Sequence, residues 1–458
     1  MNNIMSYKLL LEKIKNYQAQ ISVIGLGQVG LPTALTFSKQ GFKVFGNDIN
    51  KALISSLIQK KSPFKEEGLN ELINQTIDNG KFEPHESLDY VVSKSEIIIV
   101  CVATPLASNN KPNLTFLQNV SESLGTMNLD GKLVIIECSI PPGTFTNSIL
   151  PIISKKNKLG ENFWAAYVPE RLSPSKALSE IKQTPRVIGI EDDKSGTLAK
   201  SLYENIVNVP VIITTSKTVE LSKLVENSFR DVNIAFANEI ALICEHYGVD
   251  FTKLANVCNS HPRVNLHMAG PGVGGPCLPK DPFLLLNPSE DIKLNSKIIQ
   301  ESRKVNDLMP LHVSKLVTDA LESQGKKLSK STVLILGSAY KGNVSDARFS
   351  PSRHIVHDLQ QKLCTVLLYD PHTIETFNAK KIDTLDEFII QNCDALIIAT
   401  DHDEFKKMKP SFFKLMKKTP ILVDTKRMFN AMEVENLDVI YISVGYVKNS
   451  DMSDSGGM

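Results

Sequence analysis

The chain has 458 residues, 42% of them apolar and 22% charged, with a formal net charge of +1. That length exceeds one ordinary core and predicts two or three domains. The near-neutral charge argues against a nucleic-acid partner, and no apolar run reaches the length of a membrane span. Seven scattered cysteines lack any C-x-x-C pair, and nine histidines show no metal-ligand spacing. Both point to a reducing cytoplasm, with neither a disulfide framework nor a metal site.

In chain order, the opening segment carries Lys8, Glu12, Lys13 and Lys15, which interrupt the apolar stretch a secretory leader needs. Ile4, Leu10, Leu11, Ile14 and Tyr17 fit one helical face and predict a short docking helix. From Ile21 to about Thr215, strand-like runs such as "ISVIGLG", "KVFGNDI", "EIIIVCVAT" and "KLVIIECS" alternate with helical stretches. Short β-branched runs between helices predict a parallel sheet covered on both faces. Residues 216–324 read as helical, led by a periodic stretch of some thirty positions that stops at Gly248. A helix that long suits a domain bridge or a subunit contact. From Lys326 the alternation resumes in a second, smaller α/β unit, and the polar tail 448–458 is expected to be disordered.

The sharpest local signal is "GLGQVG", where Gly25, Gly27 and Gly30 complete G-x-G-x-x-G between a strand and a helix, with Gln28 and Val29 inside it. Gly25 permits the tight turn, Gly27 lets a pyrophosphate approach the backbone, and Gly30 lets the helix pack closely on the sheet. Asp48, 18 positions after Gly30, ends the second strand and suits both ribose hydroxyls, which favours NAD over NADP. Thr104 lies at the strand edge where ligands sit in such sheets, although Pro105 alone also explains the strand's end. The second α/β unit has no G-x-G-x-x-G; Lys341 and Arg348 are cations suited to phosphates, or a solvated pair.

Cys277 stands in "GPGVGGPCLPKDP", where Gly270, Gly272, Gly274 and Gly275 allow unusual backbone angles and close approach of a ligand. The following "LPKDPFLLL" reads as a helix start with Pro279 in its first turn. A thiol beside a helix N-terminus and Lys280 should be partly ionised; the other six cysteines read as inert core residues. Lys223 and Asn227, spaced i, i+4, share a helical face and suit a developing oxyanion, or form a solvent-facing stripe. Glu170 follows a strand and suits a base, or an ion pair with Arg171 or Arg186.

Taken together, "GLGQVGLPTA", "ECSIPPGT", "PERLSP", "ELSKLVENSFRDVNIAFANEI", "HPRVN", "GVGGPCLPKDP" and "AYKGNVSDARFSPS" resemble, in order, the signatures of the UDP-glucose/GDP-mannose dehydrogenase family. The resemblance implies two Rossmann-like doubly wound domains joined by a helical domain with a long central helix. Its boundaries would be 1–215 for NAD, 216–324 for the helical domain and 325–447 for the UDP-sugar. It implies a four-electron oxidation of C6 of a nucleotide sugar by NAD. Cys277 would carry the thiohemiacetal and thioester, Lys223 and Asn227 would stabilise the oxyanion, and Asp281 or Glu170 would activate water. Ser139 stands where the family usually has Thr. Arg171 and Gly274 fall in substrate-binding segments, and Arg263 matches a residue that reaches the neighbouring subunit. Lys341 and Arg348 match residues lining the nucleotide and cofactor sites. A homodimer or higher oligomer follows, joined through the long helix. "HPRVN" and "PER" favour UDP-N-acetylmannosamine or UDP-N-acetylglucosamine, while "LPKD" also suits UDP-glucose. The alternatives are a UDP-glucose 6-dehydrogenase, a two-electron NAD hydroxyacid dehydrogenase, and a nucleotide-sensing scaffold on a retired fold.

Overall fold

The computed structural model describes residues 2–64, 66–171, 177–286 and 296–446. The tail 448–458 and Leu172 to Pro174 of "PERLSP" lie outside the described residues. The chain divides into two compact units, Met1–Glu226 with Lys280–Leu294, and Asn227–Pro279 with Asn295–Met458.

The first unit is built on eight strands: β1 (Gln20–Ile24), β2 (Lys43–Asn47), β3 (Phe82–His85), β4 (Ile97–Val100), β5 (Lys132–Ile136), β6 (Phe163–Tyr167), β7 (Val187–Ile190) and β8 (Ile212–Thr215). Their order is β3-β2-β1-β4-β5-β6-β7-β8. Pairing is parallel throughout except between β6 and β7, which run antiparallel at Tyr167 and Gly189. Successive side chains of a strand point to opposite faces. Ile97, Ile99, Leu133 and Ile135 therefore enter one core. Ile98, Val100, Val134 and Ile136 enter the other. Burial on both faces is what makes these strands read as unbroken apolar runs. Strand β3 was not expected, because in "FEPH" Phe82 alone is buried and no apolar run announces it.

The opening helix forms over Asn2–Lys15. It docks as expected through Leu10 and Ile14, which are buried in the first core. Tyr17 lies beyond the helix with a positive φ of 58°, and its ring meets Phe42 at 5.2 Å.

The second unit has six parallel strands: β9 (Thr332–Leu336), β10 (Thr365–Tyr369), β11 (Lys380–Lys381), β12 (Ala395–Ile398), β13 (Ile421–Asp424) and β14 (Ile440–Ile442). Their order, β11-β10-β9-β12-β13-β14, repeats that of the first six strands of the other sheet. Both orders reverse beside the first strand, the switch point at which open sheets of this kind bind nucleotides. Helix Lys297–Ser323 covers one face with Met309, Val313 and Val317. The long helix spans Ser216–Tyr247 and crosses the division between the units. It stops where Gly248 takes a φ of 71°.

Truncating Leu10 to Ala should cost about 2–4 kcal/mol, because the cavity under the docked helix cannot fully close. A urea midpoint unchanged from wild type would show that this helix adds nothing to the first unit.

Candidate active site

At the carboxyl edge of the first sheet, adjacent strand ends carry Gly25 after β1, Asp48 after β2, Thr104 after β4, Ser139 after β5 and Glu170 after β6. Gly25 has a φ of 89°, and a Cβ there would meet the Cys101 carbonyl oxygen at 2.8 Å. A Cβ on Gly30 would lie 1.9 Å from the Gly25 oxygen, so the helix Gly30–Lys39 can start here only with glycine. Gly27 differs: nothing lies within 4 Å of its would-be Cβ. The helix behind it has no side-chain cap, and uncapped first-turn N–H groups make an anion site. Asp48 accepts Leu26 N–H on one oxygen and Asn50 N–H on the other, both at 2.8 Å. Two donors on a part-exposed carboxylate leave lone pairs for ribose hydroxyls. The residues present therefore fit a dinucleotide.

Beneath this loop, Glu137 collects three protein donors. Tyr203 OH lies at 2.5 Å, the Cys101 thiol at 3.2 Å and Thr33 OH at 3.4 Å. Burial and then Glu137 push the Cys101 thiol well above its ordinary range. Burial pushes Cys138 up to about 12. Both remain protonated, as expected of core cysteines.

Thr104, Ser139, Lys280 and Asp281 come together. Thr104 OH donates to the Ser139 carbonyl at 2.6 Å. Lys280 Nζ donates to the Thr104 carbonyl at 3.2 Å and lies 3.5 Å from the fully buried Asp281 carboxylate. This cation is engaged by Thr104 and Asp281. The expected helix start is corrected. Leu278–Lys280 form a turn, and the helix begins at Asp281, four residues past Cys277. Arg171 forks onto Glu226 at 2.7 and 3.0 Å and donates to the Pro185 carbonyl.

Lys223 and Asn227 are both buried, so the solvent-facing stripe is excluded. One turn before Lys223, Glu220 is wholly buried and accepts Gly143 N–H at 2.5 Å and Phe145 N–H at 2.7 Å. Burial raises its carboxyl from 4.5 to about 7, against the pull of those two N–H groups. Sequence reasoning missed Glu220; its only signal was the helical interval to Lys223.

In the second unit, crowding explains three of the four glycines before Cys277; a Cβ on Gly270 would make only ordinary contacts, at 3.7 Å and beyond. A Cβ on Gly272 would meet the Asn306 carbonyl at 2.8 Å, and one on Gly275 would meet the Tyr340 ring at 2.7 Å. A Cβ on Gly274 would strike the Phe349 carbonyl at 2.6 Å. Gly275 N–H donates to the Arg348 carbonyl at 3.0 Å. The Arg348 guanidinium is held by Asp346, whereas Lys341 and Arg263 are exposed. Tyr340, beside Lys341, was also missed; burial and the nearby Asp346 raise its hydroxyl well above the ordinary range.

The turn after β9 copies the turn after β1. Gly337 has a φ of 100°, and Asp370 accepts Ser338 N–H at 2.7 Å and Ala339 N–H at 2.9 Å. Asp370 also receives His372 N–H, Thr373 N–H and His402 Nε2. His402 Nδ1 accepts Asn343 N–H at 2.9 Å, so Nε2 is the protonated nitrogen. Burial works to raise Asp370, but these donors bring it down to about 2. A carboxylate so filled has little accepting capacity left for a ribose.

Gly27→Ala should leave the unfolding free energy from urea titration within about 0.5 kcal/mol of wild type. It should weaken NAD binding at least ~10-fold by calorimetry, since the methyl occupies space a pyrophosphate needs. Unchanged affinity would remove this loop from the cofactor site. Glu220 binds its proton more tightly when folded. Its contribution to stability is therefore complete below pH 4.5 and is lost as pH rises to about 7. The thermal midpoint of wild type should fall across that window more steeply than that of Glu220→Gln; parallel curves would contradict the assignment.

Comparison with known proteins agrees with this geometry. Residues 19–207 match the NAD binding domain of the UDP-glucose/GDP-mannose dehydrogenase family, 217–308 its central domain and 334–431 its UDP binding domain. A UDP-N-acetyl-D-mannosamine dehydrogenase of Pyrococcus horikoshii is 36% identical over 412 residues, covering 89% of this chain and 96% of that one. A protein of the same name from Methanococcus maripaludis is 37% identical over 404 residues, covering 87% and 90%. A solved structure of the UDP-D-ManNAc dehydrogenase from Pyrococcus horikoshii superposes with a TM-score of 0.86 at 35% identity, covering 93% of this chain and 99% of that one. NAD is the cofactor, and the chain belongs to the UDP-glucose/GDP-mannose dehydrogenase family.

Proposed function

We propose that this chain oxidises the C6 hydroxyl of a UDP-N-acetylhexosamine, with UDP-N-acetylmannosamine favoured, to the carboxylate of the uronate. The observation that carries the reading is the match, over about nine-tenths of both chains, to proteins named for that activity. In the division we favour, residues 1–215 hold NAD, 216–324 form the helical domain and 325–447 hold the UDP-sugar. NAD, when bound, accepts a hydride in each of two oxidations, so two NADH form per sugar.

The chain's own groups do the rest. Lys223 and Asn227 donate to the C6 oxygen as negative charge builds on it. Once the alcohol has lost a C6 hydrogen as hydride and its hydroxyl proton to solvent, the Cys277 sulfur adds to C6 of the aldehyde, and the oxygen takes up a proton to give a thiohemiacetal. Losing the C6 hydrogen as hydride and the hydroxyl proton turns that adduct into a thioester. Water oriented by Asp281 or Glu170 attacks the thioester, releasing the carboxylate and the thiol. The covalent link keeps the aldehyde from escaping. Arg171 and Gly274 belong to the sugar-binding segments, Ser139, Thr104 and Arg348 to the cofactor's surroundings, and Lys341 to the UDP site.

We further place the protein in the cytoplasm as a homodimer or larger assembly, with Arg263 serving the neighbouring subunit. Among the described residues no helix is long and apolar enough to cross a membrane. Phe229, Phe236, Ile243 and Tyr247 are exposed on the long helix by 45–74%. At 100° per residue they fall within an arc of about 40°, a seam that suits a second helix.

A panel of UDP-N-acetylmannosamine, UDP-N-acetylglucosamine, UDP-glucose and GDP-mannose, followed by NADH absorbance, tests the substrate. Two NADH per UDP-N-acetylmannosamine are expected; one per sugar would point to a two-electron dehydrogenase. Cys277→Ser should lose net turnover by at least ~10³-fold yet keep NAD affinity. Full turnover in that variant would end the covalent mechanism.

A further inference from the structure

A chain of buried hydrogen bonds in the second unit is not used by the reaction as proposed. Gly270 N–H donates to Asn238 Oδ1 at 2.9 Å. Asn238 Nδ2 donates to Asn306 Oδ1 at 3.0 Å. Asn306 Nδ2 donates to Asp231 Oδ1 at 2.9 Å and to the Asp231 carbonyl at 3.0 Å. Arg303 Nη1 closes the chain on Asp231 Oδ1 at 2.6 Å. Exposure is 0% for Asn238 and Asp231, 1% for Asn306 and 4% for Arg303.

Three features set this apart from ordinary helix packing. Every bond from Gly270 onward points its proton the same way, toward one carboxylate, so each polarises the next. Burying a charged pair and two amides between helices is no gain over apolar residues of similar size, so packing alone does not explain them. The chain also ends on a loop. Gly270 opens the stretch that leads to Cys277, and the next fixed points are Gly272 against Asn306 and Pro310, then Gly275 on Arg348. On the helix itself, Asn227, Asp231 and Asn238 lie within about 40° of arc at 100° per residue. The face that aims Asn227 is therefore the face the relay grips.

We infer that Asn238 and Asn306 are positioning residues, which fix the register of the Asn227 helix face and the first anchor of the Cys277 loop through one shared relay. The inference rests on the reading of Cys277 as nucleophile and Asn227 as oxyanion donor. Neither asparagine touches the reacting atoms.

The test compares full-length wild type with Asn238→Ala, Asn306→Ala, the double variant and Asn238→Asp. Amide exchange over residues 270–275 should accelerate at least ~10-fold in both alanine variants, while β9 to β14 stay protected. The alkylation rate of Cys277 by iodoacetamide should shift, kcat should drop roughly 10–100-fold, and NAD affinity should hold within about twofold. The double variant should be no worse than the poorer single one, because both break one relay. Asn238→Asp keeps an acceptor for Gly270 N–H but has no N–H for Asn306, so it should speed loop exchange as Asn306→Ala does; Asn306→Ala carries the test if Asn238→Ala does not fold. Wild-type loop exchange in the alanine variants, wild-type loop exchange in Asn238→Asp, or additive losses that follow the thermal midpoint would overturn the inference. Faster loop exchange with unchanged kcat would overturn it too. If wild type oxidises none of the nucleotide sugars, the functional reading fails on that result alone, and exchange with alkylation still decides the positioning role.

Discussion

A polar group taken out of water must find its hydrogen bonds inside the protein, and this requirement organises both sheets. The clearest case is the pair of aspartates that end the second strand of each sheet. Asp48 and Asp370 perform the same structural task, receiving N–H groups from the turn after the neighbouring strand. Asp48 stops at two donors and keeps accepting capacity at a part-exposed edge. Asp370 takes six donors, the Ser338 hydroxyl among them, and is sealed by His402. The backbone plan is the same, and the count of donors decides which carboxylate can still serve a ligand.

The same requirement sorts the acids and thiols at the first sheet's edge. Glu137 absorbs a tyrosine, a threonine and a thiol beneath the glycine turn, and that environment keeps Cys101 protonated. Glu220 ties the turn after β5 to the helix that carries Lys223, at the cost of a raised carboxyl. Lys280 spends its charge on Thr104 and Asp281. Glycine answers a different constraint around Cys277. There the backbone passes so close to Asn306, Tyr340 and Phe349 that no side chain fits. A loop built this way has few alternative shapes, which would suit the nucleophilic role proposed for Cys277.

Family membership and these observations support one another without overlapping. The matched domains give the cofactor and the kind of substrate handled by the third domain. The donor counts, the crowded glycines and the relay from Gly270 to Asp231 say how this particular chain holds its groups in place.

By itself the sequence determined what local patterns can encode. Unbroken apolar strands separated by helical periodicity specified two largely parallel sheets, but not the antiparallel β6–β7 pair. Three glycines, a helix start and Asp48 specified NAD, and "GVGGPCLPKDP" singled out Cys277. Each of these signals lies within a few residues of its own consequence. Strand β3 and the two-residue β11 escaped because their pairing is set by neighbours far along the chain rather than by their own apolar content. Only the tertiary structure showed that Lys280 turns to Thr104, that Arg171 takes Glu226, and that the helix starts at Asp281. Nor could sequence reveal Glu220, Tyr340 or the Asn238–Asn306 relay. A hydrogen bond between residues 68 positions apart leaves no trace in local spacing, and burial, which makes such a bond obligatory, exists only once the chain has folded.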